Sequence, residues 1–108
     1  MGASLEERLK QIGRNIAEIR ARKGLTQEQL AAKAYVSDRE LRRHEAGQHL
    51  TIDVLLTYAR VLDCPYEVLN LMNPDYRVIE LIQCIPESGR DSVIGVLNSI
   101  VAGYLKTG

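Results

Sequence analysis

Three arginines, Arg39, Arg42 and Arg43, stand close together in the stretch SDRELRRHEAG, residues 37–47. A guanidinium is a planar fork of donors that matches the O6 and N7 acceptors of a guanine edge, or two oxygens of a phosphate. If the stretch is helical, Leu41 is its one strong inward residue, while Asp38, Arg39, Arg42 and Arg43 point away. A helix this polar is not built for the core alone. Two carboxylates share the stretch. Glu40 falls three residues after Ser37 and completes a capping-box pattern that would fold it back to the helix start. Asp38 suits the positive end of the helix dipole, or could accept from cytosine N4. No phosphate-cradling loop, nucleophile elbow or metal-ligand spacing is present. His44 and His49 are five apart, on two sides of a helix that Gly47 ends between them. The expectation is no enzyme, no cofactor and no metal.

The elements that must hold this stretch are legible as helices. Leu5, Leu9, Ile12, Ile16 and Ile19 form an apolar stripe at helical spacing, and Gly24 stops it after Lys23. Thr26-x-x-Gln29 is a capping box for a second helix that buries Leu30, Ala31 and Ala34. A turn at Tyr35 and Val36 leads to the third helix, which starts at Ser37 and ends at Gly47. Thr51 caps a fourth over residues 52–62, with Ile52, Leu55, Leu56, Ala59 and Leu62 inward; Asp63-Cys64-Pro65 breaks it. A short fifth helix occupies 65–71.

Beyond it, Asn73-Pro74 starts a sixth helix over 75–84, and Ser88-x-x-Asp91 opens a seventh that is apolar on two sides. Val93, Leu97, Ile100 and Tyr104 line one side, and Gly95, Ser99 and Gly103 form a stripe of small residues that permits close approach of another helix. These seven residues are the expected homodimer contact. The reading is all-α: a five-helix domain over 5–72 and a C-terminal helical extension over 73–108.

The formal net charge is +0, against a protein that grips nucleic acid by bulk charge. The average conceals a division: residues 1–50 hold ten Lys/Arg against seven Asp/Glu, and 51–108 hold four against seven. The basic half contains the arginine stretch. With no Trp or Phe, the core rests on Leu, Ile, Val and Ala. Cys64 and Cys84 stand far apart as small apolar residues, a usage that fits a reducing, cytoplasmic compartment. No run approaches the ~20 apolar residues of a membrane span.

The run IGRNIAEIR ending at Arg20, GLTQEQLA over 24–31, Val36-Ser37, Leu41, Glu45-Ala46-Gly47 and LLTYARVL over 55–62 together resemble the lambda-repressor-like helix-turn-helix regulators, across about residues 9–71. The resemblance implies a DNA-binding domain in which Arg20 and Glu45 form a partly buried ion pair. It further implies that Gln27 touches the DNA backbone, that Asp38, Arg39 and Arg43 face base edges, and that Arg42 meets a base or phosphate. Ser37 and Gln48, flanking the third helix, complete the set of expected DNA contacts. Three features depart from the family pattern. Tyr35 stands where glycine is usual, a site that favours positive φ; His44 replaces a larger apolar residue and reads as a half-buried core histidine; and Gln48-His49-Leu50-Thr51 lacks the usual basic residue and proline.

The expected function is a transcriptional regulator, a repressor acting as a homodimer on a palindromic double-stranded DNA site. The alternative is a protein-interaction module on the same scaffold, antitoxin-like or an anti-regulator, which zero net charge and two acids on the third helix favour. The sequence gives no small-molecule effector.

Overall fold

The computed structural model describes residues 4–72 and 74–77, together with residues 89, 91, 92, 95, 96, 98 and 99. Over described residues 4–72 five helices follow one another: α1 (Leu5–Arg22), α2 (Gln27–Ala34), α3 (Asp38–Glu45), α4 (Ile52–Val61) and α5 (Tyr66–Leu69). Among the described residues the fold is all-helical, as the periodicity predicts. Side-chain caps explain where most of them begin. The hydroxyls of Ser4, Thr26, Ser37 and Thr51 each accept the backbone N–H three residues on, satisfying a donor that no intrahelical carbonyl can reach. At Thr26 the box is reciprocal, since Gln29 Oε1 accepts the Thr26 N–H at 2.9 Å.

The helices close around one core. α1 contributes Ile12, Ile16 and Ile19, α2 contributes Leu30, Ala31 and Ala34, and α3 contributes Leu41. Leu55, Tyr58, Ala59 and Leu62 enter from α4 and its cap, and Val68 and Leu69 from α5. Three expectations are corrected. Leu5, the first residue of α1, is exposed. On α4, Ile52 and Leu56 are exposed and Tyr58 takes the buried place, so the inner face is rotated from the one assigned by apolar residues alone. Helix five is limited to Tyr66–Leu69 with Pro65 as its N-cap.

Two polar or small residues inside α1 set its distance from the rest. The Asn15 side chain is fully buried and uses all its hydrogen-bonding capacity. Its Nδ2 donates to the carbonyls of Leu69 and Leu71, both at 2.9 Å, while Oδ1 accepts from Gln11 Nε2 at 2.9 Å and the Tyr76 hydroxyl at 3.0 Å. The end of α5 and residue 76 are thereby fastened to α1, with the Arg22 guanidinium 5.2 Å from the Tyr76 ring centroid. Gly13 lies against the end of α3: a Cβ there would come within 2.4 Å of the Glu45 carbonyl oxygen. Reciprocally, a Cβ on Gly47 (φ +84°) would come within 2.7 Å of the Leu9 carbonyl oxygen. Backbone meets backbone at both.

Most of the predicted helices six and seven, Cys84, and the dimer-contact residues Val93, Leu97, Ile100, Gly103 and Tyr104 lie outside the described residues. Gly95 and Ser99 are described; Ser99 Oγ donates to the Gly95 carbonyl at 3.0 Å, and the space over Gly95 is open.

Replacing Gly13 by Ala forces two backbone segments apart. The expected result is a loss of about 2 kcal/mol or more in urea-unfolding free energy, the range for overpacking at a rigid contact.

Candidate nucleic-acid interface

α3 is held by one end and two inward residues. The Ser37 hydroxyl accepts the Glu40 N–H at 3.0 Å, and Leu41 and His44 are buried. Fixing these two sets the roll of the helix about its axis. Asp38, Arg39 and Arg42 are consequently exposed and Arg43 half-exposed. No hydrogen bond or ion pair engages the Arg39 or Arg42 side chain among the described residues, whereas Arg43 Nη1 donates to Glu40 Oε1 at 3.0 Å.

Glu40 departs from the expected capping box. Its carboxylate runs forward along α3 instead of back to Ser37, placing Oε2 3.3 Å from His44 Nε2 and Oε1 3.6 Å from His49 Nδ1. Three cationic or protonatable groups outbid one backbone N–H for it. The Arg43 hydrogen bond is the main cause that holds the Glu40 carboxyl below its ordinary range.

His44 is more buried than the half-buried place expected of it. Its Nδ1 lies 2.6 Å from the Tyr58 hydroxyl. Burial, reinforced by Glu45 and Glu40, raises the Tyr58 pKa far above its ordinary value, and with Glu40 Oε2 3.3 Å from Nε2 calling for a proton there, Nδ1 is left to accept the phenol O–H. Nε2 then carries the imidazole proton and faces Glu40. Burial lowers the His44 pKa, partly opposed by Glu40, and the neutral ring joins α3 to α4.

The far end of α3 is fastened through Glu45. Arg20 Nε donates to Oε2 at 2.6 Å and Nη2 to Oε1 at 3.3 Å, while Nη1 donates to the Leu25 carbonyl at 2.8 Å. The side chains are 16% and 7% exposed. Gln27 Nε2 also donates to Glu45 Oε1, at 2.8 Å, so Gln27 stands at the start of α2 with one amide donor committed to α3. The Gln48 N–H closes α3 on the Arg43 carbonyl at 2.8 Å, leaving its side chain in an exposed residue. Between the helices Tyr35 takes left-handed geometry, φ 57° and ψ 37°, as its glycine-like position requires.

Two short helices joined by a three-residue turn, residues 35–37, the second with its polar face outward, form the geometry that seats a helix in a major groove. A family model described as helix-turn-helix matches residues 16–69, half of the chain. The chain belongs to the helix-turn-helix family. This is the lambda-repressor-like type, and membership makes the protein a DNA-binding transcription regulator. No curated protein sequence matches it. In this helix-turn-helix protein, Ser37, Asp38, Arg39, Arg42 and Arg43 share α3 or its cap, with Gln27 and Gln48 at neighbouring helix ends. Among the described residues there is no cluster of His, Cys, Asp and Glu that could hold a metal ion, and no helix is long and apolar enough to cross a membrane.

Sequence reasoning missed the His44–Tyr58 bond and the contact of Gly13 with α3. The available signals were a glycine inside an otherwise regular stripe and a tyrosine on the core side of α4.

Glu45→Ala leaves the Arg20 charge nearly buried with no opposite charge beside it, only the Leu25 carbonyl. The expected loss is about 3 kcal/mol in urea unfolding. Acidification tests His44. Because its folded pKa lies below the ordinary 6.5, the unfolded chain binds the proton more tightly, so stability is full above 6.5 and falls as pH drops below it. A His44→Gln variant is expected to lack that slope in unfolding free energy measured between pH 7.5 and pH 5, a window above the ordinary carboxylate range.

Proposed function

We propose that the protein is a transcriptional repressor that binds, as a homodimer, a two-fold-symmetric double-stranded DNA site. The observation that carries the reading is the outward row of Arg39, Arg42 and Arg43 on a helix whose roll is locked by Leu41 and His44. Each arginine that forks onto guanine contributes roughly 1–3 kcal/mol of discrimination. Asp38, with the α3 dipole, belongs to the same edge, and Ser37, Gln27 and Gln48 serve the backbone. Two copies of α3 would enter successive major grooves about 34 Å apart. The pairing element is the C-terminal extension, through Val93, Gly95, Leu97, Ser99, Ile100, Gly103 and Tyr104, with residues 5–72 as the DNA-binding domain. Repression requires only occupancy of the site, in the cytoplasm, without enzymatic activity, cofactor or metal.

One observation favours a second reading, a protein-interaction module. Glu40 is paired with Arg43 and Asp38 is exposed on the same face, in a chain with no net charge. Salt separates the two readings, because every phosphate contact adds about −0.9 to the slope of log K against log salt.

Selection of bound duplexes from a random-sequence pool is expected to return a palindrome. Affinity for it should fall steeply with salt and vanish when Arg39, Arg42 and Arg43 are all replaced by Ala. A pool with no enrichment at low salt would overturn DNA binding in favour of the interaction module.

A further inference from the structure

Tyr35 is 92% exposed, while Tyr58 is buried and Tyr66 and Tyr76 are partly buried. It is also held in the left-handed region at φ 57°, which disfavours any residue with a Cβ. An aromatic ring that is both unpacked and strained gains nothing for the fold; glycine would serve the turn better. Nor is it a loose appendage. The Tyr35 N–H donates to the Ala32 carbonyl at 3.3 Å and the Val36 N–H to the Ala31 carbonyl at 3.0 Å. Ala34 on one side is buried and Val36 on the other packs on the core, so the backbone of the turn is anchored and the Cα–Cβ direction of Tyr35 with it.

We propose that Tyr35 contacts DNA, its hydroxyl donating to a phosphate oxygen and its ring lying on the sugar of the strand that borders the half-site. The proposal rests on the DNA-binding reading above. Tyr35 precedes the α3 cap, Ser37, by two residues, at most about 7 Å of chain. The major groove is about 12 Å wide. With the first turn of α3 at the base edges, a side chain of tyrosine length starting at residue 35 has the reach to touch the groove wall. A neutral phenol also adds a phosphate contact in a chain that has no net charge to spare.

The test compares the wild-type protein with Tyr35→Gly and Tyr35→Phe, by fluorescence anisotropy on the duplex the wild type enriches from a random pool and on a scrambled duplex of equal length. Tyr35→Gly is expected to melt a few degrees higher, its strain relieved, yet to bind both duplexes on the order of tenfold more weakly. Tyr35→Phe keeps the backbone strain and is expected to lose about threefold. Ethylation interference should lose one bordering phosphate per half-site in Tyr35→Gly. Wild-type affinity in Tyr35→Gly overturns the proposal, including the case in which that variant loses a protein partner instead. Should Tyr35→Gly melt lower, unchanged affinity in Tyr35→Phe overturns it. Failure of the wild type to enrich any duplex removes the DNA-binding reading and this one with it, whereas normal enrichment with an unaffected Tyr35→Gly removes this one alone.

Discussion

The Arg20–Glu45 pair, with Gln27 on the same carboxylate, is the fastening on which the presentation of α3 depends. It joins the end of α1, the start of α2 and the end of α3 at one nearly buried carboxylate. Apolar packing is non-directional and leaves short helices free to slide or roll by small amounts. Charge-assisted hydrogen bonds with a forked donor are directional. Glu45 accepts from three side-chain nitrogens and Arg20 also reaches the Leu25 carbonyl, so moving any of the three helix ends leaves a poorly hydrated charge without a partner.

That fastening works because the backbones come so close. Gly13 and Gly47 remove the side chains that would hold α1 away from the end of α3. Asn15, two residues along α1 from Gly13, does the opposite task at the other side, drawing in the end of α5 with amide hydrogen bonds whose donors and acceptors are all used. α1 thus acts as the common spine, and the helix that faces outward owes its position to contacts made almost wholly on its hidden side.

The electrostatics of the outward side are divided rather than uniformly basic. Glu40 draws Arg43, His44 and His49 to itself, which leaves Arg39 and Arg42 as the arginines of α3 with no engaged side chain among the described residues. A chain of zero net charge cannot rely on a broad positive field. Directed donors on a fixed frame are then the means by which such a surface would discriminate, and rigidity at both ends of α3 is what keeps them directed.

The caps, the stripe of α1 and the breaker at Asp63-Cys64-Pro65 placed the helices from sequence because these are local effects, decided within a turn or two of chain. The same locality made the αL turn at Tyr35 legible. The choice of partner for Glu40 was not legible: a capping box and an ion-pair hub use the same residue at the same spacing, and only the arrival of His49 from the following loop, together with Arg43 and His44, decided between them. The face of α4 was likewise open, since Tyr58 competes with Ile52 and Leu56 for the interior on equal apolar terms until His44 offers its hydroxyl a buried acceptor. Sequence by itself determined the first five helices and the arginines they carry; the tertiary structure decided which way each of them faces, because roll is fixed by contacts between residues far apart in the chain.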